Sequence, residues 1–285
     1  MSFRLAVVQP LTAFGPDARE QNLAGALRHA TEAARQGAQL VCFPESYPGP
    51  WRMPITWSPL PELRAIAREA GVHLVAGFAE PLDAEGRRCH NALALIGPDG
   101  RDIGIYRRTT PDHAPWIYQG GTYWDFDWVP ADELPVFDTD LGRIGLLMCS
   151  EVYAPELARI LAVKGAELIV MPAGLMGTKS ALVNTWRTLT WARAIENLAY
   201  TAICNNIVTE GEQGLAMVCS PEEIVLESRL EGVHVATVDL DRVRWLREQQ
   251  DRLVGEPKPW RTKPGNLRDW RRQAVFDANP ELGRA

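Results

Sequence analysis

The sequence contains no Cys-x-x-Cys pair, no surplus of basic charge and no apolar stretch approaching the roughly 20 residues that a membrane-spanning helix needs. Each absence removes a class of function. The five cysteines, Cys42, Cys89, Cys149, Cys204 and Cys219, are odd in number and widely spaced, which argues against a disulfide framework and a structural zinc site. A net charge of −6 leaves no electrostatic basis for binding nucleic acid. The amino terminus runs straight into a strand-like segment with no basic leader or cleavage signal, so a cytoplasmic protein without membrane attachment is expected. Lysine is also scarce: Lys164, Lys179, Lys258 and Lys263 are the only four. No histidine stands in a metal-ligand constellation, and His29, His73, His90 and His234 are isolated enough to be structural.

What is present is a chain of 285 residues, 46% of them hydrophobic, enough to bury a substantial core. Strand-like runs alternate with helix-like ones. Strands are expected at 3–8, 40–43, 73–78, 168–171 and 201–207, then at 215–219, 224–227 and 233–238. Helices are expected at 22–36, 61–71, 155–164, 180–200 and 241–252. Segments 91–96 and 103–106 flank the turn Gly97-Pro98-Asp99-Gly100 and read as a hairpin. The stretch 109–137, rich in aromatics, proline and glycine, shows no clean period and reads as a long functional loop. One domain over 1–252 is expected, followed by an irregular tail over 253–285 that packs on the domain or on a neighbouring subunit.

Two segments echo one another. Gly37-Ala38-Gln39-Leu40-Val41-Cys42-Phe43-Pro44 matches Gly165-Ala166-Glu167-Leu168-Ile169-Val170-Met171-Pro172. Each follows a helix and ends in a proline that stops the strand. Equivalent strands from two halves flanking one cleft would give this pattern, and with the alternation of elements it favours two packed sheets covered by helices.

Two residues carry the chemistry. Cys149 closes the apolar run Ile144-Gly145-Leu146-Leu147-Met148 and precedes a helix-start signal. A thiol at such a junction is placed where open α/β sheets put their ligands, where a helix dipole lowers its pKa, and where following backbone N–H groups form an oxyanion hole. Cys42, Cys89, Cys204 and Cys219 lack the junction and read as core. Glu45 emerges from the first echo strand as a candidate general base.

Phe43-Pro44-Glu45, the Cys149 strand with Glu151 and Pro155-Glu156-Leu157, then Gly165-Ala166-Glu167-Leu168 with Pro172, and Ala192-Arg193-Ala194-Ile195-Glu196-Asn197 followed by Asn205, together resemble the nitrilase superfamily of carbon–nitrogen hydrolases, from Phe3 to about Arg272. The resemblance implies an α/β fold, a four-layer α-β-β-α sandwich that pairs through its helices into a homodimer or higher homo-oligomer. It also implies a catalytic Glu, Lys and Cys with no metal or organic cofactor. Glu45 matches the base and Cys149 the nucleophile. The position of the lysine is Arg108, within Tyr106-Arg107-Arg108-Thr109-Thr110. Arginine stays protonated, so Arg108 would hold an oxyanion by charge or pair with a substrate carboxylate, and would not donate a proton. Many members carry a further Glu beyond the lysine; here Asp112 or His113 takes its role, or the role is absent.

The substrate marks conflict. Ser150 after the nucleophile leans toward amides, while Glu151 is nitrilase-like. Tyr47, Trp51, Trp57, Trp116 and Trp124 lie in loops near the expected mouth and suggest a partly apolar pocket. Tyr47, Asp112, His113, Trp116, Ser150 and Glu151 are the expected substrate contacts. The reading is a cysteine-dependent hydrolase of a small amide; alternatives are a nitrilase, an acyltransferase using the same acyl-enzyme, and a binding protein whose chemistry was lost with the lysine.

Overall fold

Alternation along the first strand sets the layering. In β1 (Ser2–Gln9), Phe3, Leu5 and Val7 point one way and Ala6 and Val8 the other, and both sets are buried. A strand buried on both faces needs a layer on each side. In this computed structural model one face meets a second sheet and the other meets helices. The structure describes residues 1–14, 17–50, 54–111, 116–118, 122–124, 127–174, 182–249 and 278.

After β1 come α1 (Ala18–Arg35), β2 (Leu40–Cys42), α2 (Leu60–Ala70), β3 (His73–Pro81), β4 (Arg88–Ile96) and β5 (Asp102–Arg107). Short strands β6 (Trp116–Tyr118), β7 (Thr122–Trp124) and β8 (Asp127–Trp128) follow. The stretch expected to be one loop is therefore partly structured: β6 pairs with β7, and β8 extends the β4 edge. Next come β9 (Val136–Thr139), β10 (Gly142–Leu146), a 3₁₀ turn (Cys149–Tyr153), α3 (Pro155–Val163), β11 (Leu168–Val170), α4 (Leu182–Asn197) and β12 (Tyr200–Ile203). The chain continues through β13 (Ala216–Cys219), β14 (Ile224–Ser228), β15 (Gly232–Asp239) and α5 (Leu240–Gln249).

The first sheet runs β15-β1-β2-β3-β4-β5 and the second β14-β13-β12-β11-β10-β9. β2 is the middle of three parallel strands in the first, and β11 the middle of three in the second. The echo segments therefore hold matching places. Each joint also turns through a left-handed glycine, Gly37 at φ 82° and Gly165 at φ 101°, which a side chain would strain. α1 and α2 cover the first sheet, α3 and α4 the second, giving the expected α-β-β-α sandwich. Leu40, Cys42, Val75, Leu93 and Leu95 meet Ile144, Leu146, Leu168 and Val170 between the sheets. Cys42 and Cys204 touch there, with sulfurs 3.6 Å apart, and all four cysteines read as core are buried. Among the described residues, no helix is long and apolar enough to cross a membrane.

α5 closes the start of the second sheet's parallel strands. Arg247, half-buried against it, donates to the carbonyls of Leu198 and Ala166 at 2.9 and 2.6 Å, and desolvation lowers its pKa to about 10. The tail expected over 253–285 lies outside the described residues, apart from residue 278.

One glycine opens room for the site. Gly77 of β3 is on the face of Val75, between the sheets, and a Cβ there would stand 2.2 Å from the Ser46 backbone nitrogen. The Glu45-Ser46 segment lies where that side chain would be. Gly77→Ala is expected to destabilise the protein by about 1–3 kcal/mol, as overpacking does, and to displace Glu45. A thermal melt unchanged from the parent would contradict this packing.

Candidate active site

Three strand ends converge between the sheets. The chain leaving β2 passes Phe43 and Pro44 to Glu45; the residue after β5 is Arg108; and β10 continues through Leu147 and Met148 to Cys149. Met148 is still extended (φ −140°, ψ 128°), whereas Cys149 is left-handed at φ 54°. For a residue with a side chain that conformation costs about 1–3 kcal/mol and persists where the surroundings impose it. Here Cys149 N–H donates to Pro172 O at 2.9 Å, fastening the elbow to the end of β11.

Glu45 is 6% exposed. Its backbone N–H donates to Ala173 O at 3.2 Å, and Asn206 Nδ2 donates to Glu45 O at 2.9 Å and to Gly174 O at 3.1 Å. One asparagine thus holds the ends of β2 and β11 together. Thr12 Oγ1 fixes Asn206 in turn, 2.8 Å from its Oδ1. The Glu45 carboxylate accepts from Asn91 Nδ2 at 2.7 Å and Arg108 Nη1 at 3.0 Å, both on Oε1, and its charge acts on the neighbouring Cys149 thiol.

Arg108 is 3% exposed, far from the surface position open to an arginine beside Arg107. Burial opposes its charge, but Glu45, then Cys149, Glu151 and Tyr106, outweigh that and hold it protonated. Its Nη2 donates to Ser150 Oγ at 2.5 Å. Nη1 and Nη2 each spend one N–H on a protein partner, which fixes the guanidinium in place. Its geometry is that of a fixed charge beside Glu45 and Cys149.

Glu151, expected to touch substrate, is 1% exposed and occupied on both oxygens. Oε2 accepts from Tyr106 Oη at 2.6 Å and Met148 N at 2.8 Å; Oε1 accepts from Thr109 N, Thr109 Oγ1 and Thr110 N at 2.9, 2.7 and 3.2 Å. The carboxylate ties the residues after Arg108 to the residue before Cys149, and so sets the spacing of those two. Tyr47 is likewise not at the mouth: it is 1% exposed, packed edge-on against Phe43, with its hydroxyl donated to Asn22 O at 2.9 Å. Trp57 anchors its loop, donating to Glu62 Oε1 at 3.3 Å beneath the Arg19 guanidinium. Trp51, Asp112 and His113 lie outside the described residues, as do the side chains of Trp116 and Trp124. Ser150, partly exposed, is the one expected contact besides the three central residues that the described structure brings to the site.

The expected lowering of the thiol pKa does not occur. Burial, then the Glu45 charge, pushes Cys149 well above the usual thiol range, against the opposing pull of Arg108 and the Gly174 backbone. The physical reason is local: α3 begins only at Pro155, and the intervening 3₁₀ turn is too short to carry a useful dipole. The resting group is a neutral thiol beside a carboxylate. Among the described residues, no group of His, Cys, Asp and Glu could hold a metal ion.

A family model described as carbon-nitrogen hydrolase matches residues 4–248. The chain belongs to the carbon-nitrogen hydrolase family. It is an enzyme, a hydrolase, which sets aside the reading of a binding protein without chemistry. The deaminated glutathione amidase of Synechocystis sp. is 30% identical over 260 residues, covering 81% of this chain and 92% of that protein. The nitrilase of Pyrococcus abyssi is 31% identical over 247 residues, covering 79% and 86%. A carbon-nitrogen hydrolase from Helicobacter pylori G27 shares the fold at 21% identity, with a TM-score of 0.76 over 97% of this chain and 98% of that one. A variant of the amidase from Nesterenkonia sp. AN1, showing covalent addition of the acetamide moiety of fluoroacetamide at its active site cysteine, is 25% identical with a TM-score of 0.69, over 88% and 96%.

The residues missed from sequence are Asn91, Asn206, Gly77 and Gly174, none of which carries a charge to mark it. One signal existed for Asn91: it heads the run Asn91-Ala92-Leu93-Ala94-Leu95 on the face of the two leucines, where a polar group needs a partner.

Since the Glu45 charge raises the thiol pKa, Glu45→Gln is expected to lower it. Alkylation of Cys149 by iodoacetamide, followed by intact mass, should then begin at lower pH than in the parent. An onset unchanged or moved upward would rule out the resting state described above.

Proposed function

We propose that this hydrolase cleaves a small non-peptide amide through a thioester on Cys149. The observation that carries the reading is the gathering of Glu45, Arg108 and Cys149 in one buried site, with Arg108 and Glu45 paired at 3.0 Å and residue Cys149 partly exposed. As the sulfur attacks the carbonyl carbon, the thiol proton passes to Glu45 and the S–C bond forms. Negative charge collects on the carbonyl oxygen, where Arg108 and the N–H after Cys149 stabilise it. The Cys149 N–H itself is taken by Pro172 O and is not part of that hole. Glu45 returns its proton to the nitrogen, the C–N bond breaks, and ammonia or an amine leaves. Water then gives a proton to Glu45 as it attacks the thioester; the C–S bond breaks, the acid departs and the thiol is restored.

Glu45 is the proton carrier in both halves because Arg108 cannot be one. The amide is preferred over the nitrile on Ser150 after the nucleophile and on amidase relatives; the Pyrococcus abyssi relative named a nitrilase keeps the nitrile as the competing outcome. A panel of small aliphatic amides and the corresponding nitriles separates them. The expected result is turnover of an amide, an acyl adduct on Cys149 in the mass spectrum, and loss of both in Cys149→Ala. Wild-type rates in Cys149→Ala refute the mechanism, and turnover of nitriles alone refutes the substrate class.

A permanently charged Arg108 also shapes the pH profile. The parent is expected to show no alkaline loss of kcat/KM from this residue. Arg108→Lys should introduce one, because a buried lysine gives up its proton. Matching alkaline limbs in parent and variant would mean that Arg108 plays no part in holding charge.

A further inference from the structure

We propose that Asn91 is a positioning residue for the base: with Arg108 it occupies Oε1 of Glu45 and leaves Oε2 as the oxygen that takes the Cys149 proton. The inference rests on the amide-hydrolysis reading above and adds to it a residue with no charge and no reach to substrate.

Asn91 is 4% exposed, on β4, facing the layer between the sheets with Leu93 and Leu95. A buried amide without a partner costs about 1–3 kcal/mol, so an asparagine here must have a polar neighbour. Its Nδ2 donates to Glu45 Oε1 at 2.7 Å, closer than the Arg108 nitrogen at 3.0 Å. Its backbone carbonyl also accepts the Arg108 backbone N–H at 2.8 Å, so the two donors are fastened together across adjacent strands before they meet one oxygen. The other oxygen lies toward Gly174: a Cβ on Gly174 would stand 2.9 Å from Glu45 Oε2, and the Gly174 backbone also acts on the Cys149 thiol. Glycine at 174 thus keeps open the side on which Oε2 meets the thiol.

The consequence is an asymmetric carboxylate. A proton arriving on Oε1 would displace one of two hydrogen bonds; a proton arriving on Oε2 displaces neither. An asparagine suits the task because its N–H donates without accepting the travelling proton. An N–H donated to a carboxylate favours its ionised form over the protonated one.

The test compares Asn91→Ala and the near-isosteric Asn91→Asp on whichever small aliphatic amide of the panel turns over fastest. In Asn91→Ala, kcat is expected to fall by roughly 100-fold with KM little changed, the scale of a misplaced catalytic group. The acid limb of kcat/KM should move to higher pH, and further in Asn91→Asp, which sets a like charge against Oε1. Should Asn91→Ala melt below the assay temperature, Asn91→Asp decides alone. An acid limb unmoved in a folded variant overturns the proposal, because a packing role lowers kcat equally at every pH. A second readout needs no substrate: iodoacetamide alkylation of Cys149 should slow in Asn91→Ala, and the slowing should vanish in a Glu45→Gln background. Equal slowing in both backgrounds also overturns it. Failure of the amide reading shows separately, as turnover that survives Cys149→Ala.

Discussion

The structure around the site depends on one buried ion pair, Arg108 with Glu45. Neither group reaches bulk water, and removing two charges from solvent costs several kcal/mol for each before their attraction is counted. The pair is held from fixed positions, Asn91 on Glu45 Oε1, Ser150 on Arg108 Nη2 and the backbone carbonyl of Asn91 on the Arg108 backbone N–H, while Arg108 Nε is buried without a partner. Those positions come from strands in both sheets. The sandwich is therefore more than a container, since a slip of one sheet against the other would strand a buried charge.

This constraint accounts for features that look unrelated. Asn206 spans the ends of β2 and β11, so the two echo strands stay in register at the level of Glu45. Glu151 does the same for the β5 and β10 ends through Thr109, Thr110 and Met148. Gly77 and Gly174 supply space where a methyl group would strike the Glu45-Ser46 backbone or the Glu45 carboxylate. Cys149 accepts a left-handed backbone because Pro172 and the Glu151 network hold the chain on either side.

Much of this was legible in the sequence because it is local. The echo segments carry their own turn glycines and strand-stopping prolines, and short continuous apolar runs mark the strands without reference to partners. Cys149 and Glu45 follow from where such strands end. What was not legible depends on contacts between distant segments. Asn91 lies 46 residues from Glu45, and Thr109 lies 42 from Glu151, so no spacing rule joins either pair. Tyr47 reads as a loop aromatic until Gly25 of α1 is seen to leave a slot for its hydroxyl, where a Cβ would stand only 2.7 Å away. The helix-dipole expectation failed for a reason the sequence did contain: Pro155 favours the first turn of a helix, so α3 starts six residues beyond the cysteine. The intervening residues form a different kind of turn.

The raised thiol pKa and the arginine belong to one electrostatic design. With Glu45 and Glu151 already negative around a single Arg108, a preformed thiolate would add a further buried negative charge with no new cation to balance it. A neutral thiol avoids that cost. When the proposed attack occurs, the proton neutralises Glu45 at the moment negative charge appears on the substrate oxygen, so the sum of charge in the pocket does not change. The negative partner of Arg108 simply moves from the carboxylate to the oxyanion. A cation that never deprotonates is well suited to that exchange, because its charge is needed before, during and after the transfer. Lysine could serve the same geometry only while it kept its proton in a site whose burial works to remove it.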